Sequence, residues 1–293
     1  MSLLEYAVLA GIFYGLYFAL VGVGLNLIFG VMRIINLAHG DFLILGAYGA
    51  FYVFHLFGWN PLWAIPIELV VFFGLSLPLY YLLVPRLQKS GDPEMLSFIL
   101  FFGLSQVIEA LAVFAFGNDQ RSIPASVFGG SPVTIAGQVY PASWVVSAAV
   151  GMAGITLIYL YLYHTRIGRA TRAIMTERSE AVVTGISVHR VSAVAFGIGI
   201  ATAALAGIFS PFMIGAIAPS LGMGITVTSF TIIVIGSLGN PLGTVLGGLL
   251  YGEALMLMQT FLTSWAEMFP YALLILVLLV KPTGLLGKAV RSA

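Results

Sequence analysis

Long apolar runs separated by short polar segments dominate the pattern of this 293-residue chain. A helix that crosses a bilayer needs roughly 20 apolar residues, because each residue advances it by about 1.5 Å. The pattern therefore predicts an all-α polytopic membrane protein with about nine transmembrane helices, eight to ten being compatible with it. The predicted spans, of which the last is short, are 5–31, 40–57, 62–84, 95–116, 142–163, 191–214, 222–238, 242–262 and 268–280.

The composition excludes several classes of protein. Hydrophobic residues make up 60% of the chain and charged residues only 8%, whereas about 25% of a typical soluble domain is charged. The net charge of +1 leaves no footprint for nucleic acid, and the lack of cysteine excludes disulfides, thiolate metal sites and cysteine nucleophiles. The first apolar run follows no basic segment, so we expect it to be a retained span.

Basic residues concentrate in three polar segments, at 86–89, 164–190 and 281–291. Cytoplasmic loops of membrane proteins carry an excess of Lys and Arg. If the spans alternate, all three segments fall on the cytoplasmic side and only Arg121 lies outside. The pattern predicts an outside N-terminus, a cytoplasmic C-terminus and a multi-pass location in a membrane that bounds the cytoplasm.

The chain is expected to form a single transmembrane domain over 1–293. An outer loop rich in Gly, Pro and Ser, at 117–141, divides it into halves of about 1–116 and 141–293. Each half holds a tight turn followed by a helix of small residues. This arrangement predicts a possible internal two-fold repeat, although small residues recur in any membrane bundle.

The charged island at 164–190 contains signals for a short helix over about 172–185. Thr176 is a good N-cap, Glu177 and Glu180 suit the first turn, and Gly185 is a natural stop. Such a helix can dock into a groove of a soluble partner. The alternative is an interfacial helix held by anionic lipid.

Polar residues inside the spans are candidates for helix contacts or for a pathway, because charge in lipid is costly. Asn26 and Glu253 are the deepest, and Glu253 lies on a glycine-rich helix that favours contact with a neighbour. Glu68 and Glu109 lie nearer the ends of their spans, where a structural role is the simpler interpretation.

The turn after the first span has two interpretations. In the first, Asn36 caps the next helix, Gly40 permits a sharp turn and Asp41 benefits from the helix dipole. In the second, the turn dips into the membrane as part of a gate, where irregular backbone is tolerated only if it is buried or lines a cavity. His39 would then act in gating or in substrate contact.

Motifs for chemistry are missing from the sequence. No Gly-x-x-x-x-Gly-Lys-Ser/Thr loop, no Gly-x-Ser-x-Gly elbow and no His-Glu-x-x-His pair occurs. We therefore expect a protein that is not an enzyme, has no catalytic or metal-binding residues, and binds no cofactor itself.

Three stretches together resemble the LivH-type permeases, which are membrane subunits of branched-chain amino acid ABC importers. The first is Asn26-Leu-Ile-Phe-Gly-Val-Met-Arg-Ile-Ile-Asn-Leu-Ala-His-Gly-Asp-Phe-Leu-Ile-Leu-Gly-Ala-Tyr48. The second runs from Gly168-Arg-Ala-Thr-Arg-Ala-Ile through Ala181–Phe196 to Ala203-Ala-Leu-Ala-Gly207. The third is Val234-Ile-Gly-Ser-Leu-Gly-Asn-Pro-Leu-Gly-Thr-Val-Leu-Gly-Gly-Leu249. Residues 58–140 match no motif.

The resemblance implies a set of partners: a second homologous permease, two ATP-binding subunits that hydrolyse ATP with Mg²⁺, and a periplasmic or extracellular substrate-binding protein. It implies that the charged island carries the helix that couples to the ATPases. The residues expected in coupling are Arg169, Arg172, Glu177, Arg178, Glu180 and Gly185. Those expected in the translocation path or gate are Asn26, Asn36, His39, Asp41 and Glu253.

The function expected from the resemblance is passage of branched-chain or related amino acids by alternating access. One alternative keeps the assembly but changes the substrate to urea, short amides or aromatic acids. Another, from a different class, is a stand-alone secondary transporter or channel, which would use the intramembrane carboxylates and would need no docking helix.

Overall fold

The computed structural model describes residues 3–129, 131–266 and 268–287, and it is predominantly helical. Within these residues, eight helices are long and apolar enough to cross a membrane. They contain α1 (Leu3–Met32), α2 (His39–Phe57), α3 (Ala64–Leu87), α4 (Pro93–Phe116), α5 (Ala142–His164), α8 (Val188–Met213), α9 (Gly222–Gly236) and α10 (Pro241–Phe261). A 3-10 turn precedes α3 and another precedes α9, so these two spans run over Pro61–Leu87 and Pro219–Gly236. The shorter elements are β1 (Val133–Ile135), β2 (Gln138–Tyr140), α6 (Arg166–Thr176), α7 (Arg178–Val183) and α11 (Phe269–Val280).

These eight helices confirm the predicted polytopic all-α class. The ninth predicted span, 268–280, forms the 12-residue helix α11. At about 1.5 Å per residue this helix is roughly 18 Å long, too short to cross a hydrocarbon core of about 30 Å by itself. Lys288 and Arg291 of the predicted cytoplasmic C-terminus lie outside the described residues.

The helices divide into an inner and an outer group. In their most apolar stretches, 89% of the residues of α8 and 72% of those of α1 are buried, against 22% in α4. Large apolar side chains such as Val70, Phe114 and Leu157 are exposed on the outer helices α3, α4 and α5. Such a surface is stable against lipid, so the inner group forms the core and the outer group faces the bilayer or another membrane subunit.

Small residues form a tight seam between α1 and α10. A Cβ atom at Gly248 would lie 2.5 Å from the Ala19 Cα, and one at Gly252 would overlap the backbone of Gly15. Apolar burial gives little driving force between helices in lipid, so close backbone packing of this kind stabilises them instead. The seam joins the first and last spanning helices of the chain. The internal repeat itself stays a prediction.

The segment between α4 and α5, which the sequence predicts as a loop, contains regular secondary structure. Strands β1 and β2 pair antiparallel through a two-residue turn, where Ala136 and Gly137 both have positive φ. Arg121 pairs with Ile217 by backbone hydrogen bonds of 2.9 and 2.8 Å. This pairing fixes the loop to the segment after α8.

Candidate functional site: a buried polar turn below an aromatic cavity

The connection between α1 and α2 enters the helix bundle. Residues 33–38 are not helical, and His39 at the start of α2 donates from Nε2 to the Val21 carbonyl at 3.0 Å. Val21 lies eleven residues before the end of α1, a depth of about 16 Å along the helix. The turn therefore folds back along α1 into the helix bundle; its role in a gate, the second interpretation, stays a prediction.

Helix α9 holds this turn in place. The Thr226 hydroxyl accepts from the Gly40 N–H at 2.8 Å and donates to the Leu37 carbonyl at 3.0 Å. Gly40 lies inside the first turn of α2, where a side chain would overlap the Gly222 carbonyl. The expectation that Gly40 permits a sharp turn was wrong: it permits close approach of α9, and the left-handed residue at this connection is Arg33, with φ 54°.

The turn leaves several buried polar atoms without a hydrogen-bond partner in the described part of the chain. Asn36 is fully buried, and its Oδ1 accepts from the Ala38 N–H at 3.2 Å. It thus closes the turn ahead of α2 and is not its N-cap, which is Ala38. The unpartnered atoms are Asn36 Nδ2, His39 Nδ1 and Asp41 Oδ2.

Asp41 adds a carboxyl group to this polar turn. Its predicted place in the first turn of α2 is confirmed, and the residue is only 2% exposed. The carboxyl group packs against Gly222 of α9. Ser105 lies beside it on α4, and Glu109 lies close enough to interact with it electrostatically.

An aromatic cavity of about 660 Å³ lies above the turn. Tyr17 and Val21 of α1 form part of its wall, so the cavity reaches the residue whose carbonyl binds His39. The Tyr17 hydroxyl is buried and unpartnered among the described residues. The remaining lining includes Tyr14, Phe18, Trp144, Phe212, Thr228, Tyr251, Gln259 and Tyr271.

The sequence contains a signal for this cavity on one face of α1. Tyr14, Tyr17, Phe18 and Val21 follow the i, i+3, i+4, i+7 spacing of one helix face. Three aromatic side chains on one face can pack against neighbours or form the wall of a cavity. Which of the two they do depends on where α9 and α10 pass, and local sequence does not encode that.

Asn26 and Glu253, also expected in the path or gate, make contacts between helices. The Asn26 amide donates to the carbonyls of Ser237 and Asn240, at 3.2 and 2.9 Å, and to the Thr244 hydroxyl; its oxygen accepts from the Gly239 N–H. Glu253 is half-buried and packs on Gly11 in the seam. Neither residue lines the aromatic cavity.

The charged island forms two helices and not the predicted single helix over 172–185. Glu177 has extended backbone angles, φ −152° and ψ 107°, and breaks the segment into α6 and α7. Thr176 ends α6 and is not an N-cap; its hydroxyl donates to the Arg172 carbonyl at 3.0 Å. Glu177 is itself the N-cap, and its hydrogen bonds from Ser179 lower the pKa of its carboxyl group.

The predicted stop at Gly185 is confirmed. Its φ is +83°, which glycine adopts at little cost. Gly185 N–H donates to the Val182 carbonyl at 3.0 Å and Ile186 N–H to the Ala181 carbonyl at 3.1 Å. This Schellman pattern satisfies the carbonyl groups at the end of α7.

The residues predicted to couple to ATPases separate into two sets. On α7, Arg178 and Glu180 are exposed next to Val182 and Val183, which are 56% and 87% exposed. The Arg178 guanidinium donates to Gln88 Oε1 at 2.9 Å, so α7 is tied to the end of α3. On α6, Arg169 is exposed, but the Arg172 guanidinium stacks over the Tyr163 ring at 4.1 Å.

Eight helices long and apolar enough to cross a membrane, packed around an aromatic cavity, are typical of a multi-pass membrane protein. The chain belongs to the family of permease components of branched-chain amino acid transport systems, whose model matches residues 7–278. The bacterial and archaeal members of this family, together with the eight apolar helices, identify a multi-pass protein of the inner membrane.

Individual relatives match nearly the whole chain. The high-affinity branched-chain amino acid permease LivH of Escherichia coli K12 is 29% identical over 95% of this chain and 94% of its own length. BraD of Pseudomonas aeruginosa is 28% identical over 95% and 94%. A probable LivH of the archaeon Methanocaldococcus jannaschii is 28% identical over 94% and 90%. No solved structure matches the chain significantly.

Proposed function

We propose that this chain is one of two homologous permease subunits of an ABC importer for branched-chain or related amino acids. A substrate-binding protein would deliver the amino acid from outside, and two partner subunits would bind and hydrolyse ATP with Mg²⁺. The chain itself binds no cofactor and performs no chemistry on the substrate. The observation that supports this proposal best is the match to the permease family over residues 7–278, in a chain whose aromatic cavity is lined by Val21, the residue that accepts a hydrogen bond from His39 of the turn.

The cavity has the chemistry that a branched-chain amino acid requires. Its aromatic walls suit an apolar side chain, and its volume falls within the roughly 300–1,000 Å³ of small-molecule sites. A zwitterion also needs groups for its ammonium and carboxylate; the unpartnered Tyr17 hydroxyl lines the cavity, and His39 binds the carbonyl of Val21 in its wall. Because no Lys or Arg lines the cavity, the carboxylate would meet neutral donors, which favours passage over tight binding.

Helix α7 is the proposed contact for an ATPase subunit. Exposed valines between charged residues suit a groove with an apolar floor and a polar rim. The hydrogen bond from Arg178 to Gln88 connects α7 to α3, and Met175 of α6 packs against Gly30 of α1. A displacement of α7 would therefore be transmitted to α1, which contributes residues to the wall of the aromatic cavity.

The proposed orientation has an outside N-terminus and a cytoplasmic C-terminus. The contact between Arg178 and Gln88 brings two of the three basic segments to one end of the bundle. Under the positive-inside rule this end is cytoplasmic. The aromatic cavity then lies in the outer half, where a binding protein would release its substrate.

A reconstitution experiment tests the proposal. The four-subunit complex in liposomes, supplied with binding protein and ATP, should accumulate leucine, and Val183→Asp should reduce uptake by at least about ten-fold because α7 loses its apolar contact. Val139→Asp, at another exposed valine, in the hairpin of β1 and β2, is the control. Full uptake in Val183→Asp would refute docking through α7.

The alternatives give different results in the same system. Aromatic walls also suit aromatic acids, so competition by phenylalanine, urea and short amides should be measured with the binding protein of the same system. A purified single chain that transports without ATPases would overturn the proposal in favour of a secondary transporter or channel.

A further inference from the structure

A second cavity, of about 830 Å³, lies at the opposite end of α1 from the aromatic cavity. Three arginines line it: Arg33 after α1, and Arg169 and Arg172 on α6. We name it the arginine pocket. Its other walls come from the end of α5, from the connection between α9 and α10, and from Leu286 and Gly287.

The charges in the arginine pocket are unbalanced. Among the residues that the structure describes, no Asp or Glu lines it. Glu177 lies near enough to interact electrostatically with Arg33, but it faces Ser179 as the cap of α7. Arg172 Nε is buried without a hydrogen-bond partner in the described part of the chain. Three guanidinium groups with at most one nearby carboxylate favour an anion.

The backbone adds to this preference. Helix α10 begins at Pro241, which lines the pocket, and the N-terminal end of a 21-residue helix carries a partial positive charge. Arg33 is held in the left-handed region, which a non-glycine residue rarely adopts. Arg33 directly follows the last residue of α1, and it lines the pocket at that end of the helix.

The rim of the pocket is amphipathic. Tyr159 and Tyr163 stack with ring centroids 4.2 Å apart, and Arg172 lies over Tyr163. Tyrosines of this kind are enriched at the headgroup level of membranes. Leu242 lines the pocket, and Leu246 and Leu250 follow it at four-residue spacing, all three 40–47% exposed. They form an apolar stripe that leads from the pocket along α10.

We infer that the arginine pocket binds the phosphate headgroup of an anionic phospholipid, with an acyl chain along the leucine stripe of α10. Basic pockets between transmembrane helices at the cytoplasmic side are suited to such headgroups. A free phosphate would satisfy the arginines equally but would make no use of the stripe. The lipid would bridge α6, the end of α1 and the start of α10, elements that the proposed transport cycle moves.

Native mass spectrometry of the detergent-solubilised permease complex tests this inference without requiring transport, so its outcome is independent of the proposed function. Phosphatidylglycerol, phosphatidylcholine and inorganic phosphate are the three probes. We expect phosphatidylglycerol to bind in preference to phosphatidylcholine. The double variant Arg169→Gln/Arg172→Gln should weaken that binding by about ten-fold or more, since each basic residue near a membrane surface contributes about 1 kcal/mol.

Two further variants make the test specific to the arginine pocket. Arg33→Gln removes a charge from a different element and should weaken binding even if the α6 variant misfolds. Arg190→Gln removes an exposed arginine outside the pocket and should leave binding unchanged. Equal retention of phosphatidylglycerol by all variants would overturn the inference, and so would inorganic phosphate that binds the pocket as well as the lipid does.

Discussion

The seam between α1 and α10 and the turn between α1 and α2 are both buried, but they are built in opposite ways. The seam brings backbones together through Gly15, Ala19, Gly248 and Gly252, and Asn26 beside it uses every hydrogen-bonding atom of its amide. The turn keeps polar atoms whose partners are missing among the described residues. The polar groups of the seam find their partners within the chain, whereas three polar atoms of the turn do not.

The energetic contrast supports this difference. A buried polar group without a partner costs about 1–3 kcal/mol, so a turn that retains three such atoms is destabilising by itself. Irregular backbone at membrane depth persists where it is enclosed by protein or lines a cavity, and here α9 encloses the turn while the aromatic cavity reaches it. Changes in the seam should therefore affect folding, and changes in the turn should affect transport.

The largest effect is expected from Gly252→Leu. Its side chain would overlap the Gly15 backbone, and separating the two helices should cost more than about 3 kcal/mol. We expect little monodisperse protein by size-exclusion chromatography in detergent. Gly103→Leu is the matched control, because nothing lies within 4 Å of a Cβ at Gly103 in α4. Equal yields of the two variants would mean that the seam is not what holds α1.

Asn26→Leu should give the next largest effect. It removes the amide hydrogen bonds to the carbonyls of Ser237 and Asn240 and leaves the Gly239 N–H without its acceptor, at a cost of about 1–3 kcal/mol. Thermal unfolding followed by tryptophan fluorescence should show a clear fall in Tm. Thr244→Val removes one partner of the same amide and should lower Tm less. A transport defect with an unchanged Tm would instead indicate that Asn26 acts in the translocation path.

The comparison also explains how much of the fold the sequence predicts. Spanning helices are local, so runs of apolar residues located all eight, and the glycines of α10 indicated close packing. The pairing of α10 with α1 joins residues more than 200 positions apart, and no local pattern encodes it. Glu177 was assigned to the first turn of a helix because Thr176, the residue before it, is also a good N-cap. In the structure Glu177 is the N-cap, and its carboxylate accepts hydrogen bonds from the N–H and the hydroxyl of Ser179.

The candidate site was predicted in part for the same reason. Asn36, His39 and Asp41 were singled out because polar residues next to an apolar span are costly, and they do lie together at depth. The aromatic residues of α1 could not be assigned to a cavity from the sequence, since a cavity exists only where α9 and α10 leave a gap. Asn26 was expected in the path because its partners, around residue 240, cannot be read from its neighbours.

Asp41→Asn should separate transport from stability. The substitution keeps the size of the side chain and removes a charge whose Oδ2 has no partner in the described chain, so Tm should change little. Leucine uptake by the reconstituted complex should fall about ten-fold, the value of one charge-assisted hydrogen bond. Asp119→Asn, at an exposed aspartate of the outer loop, is the control. A large fall in Tm with normal uptake by the surviving protein would make Asp41 structural.

Tyr17→Phe is expected to have the smallest effect. Together with Tyr80→Phe, it compares a buried hydroxyl that has no hydrogen-bond partner with one that has a partner. The Tyr17 hydroxyl lines the aromatic cavity and has no partner among the described residues, whereas the Tyr80 hydroxyl lies 3.1 Å from His189 Nδ1. Removing the first should leave Tm unchanged and raise the KM for leucine a few-fold; removing the second, in Tyr80→Phe, should lower stability by about 1 kcal/mol and leave KM alone. If the two variants behaved alike, an unpartnered hydroxyl in this cavity would be no sign of substrate contact, and the aromatic face of α1 would be packing after all.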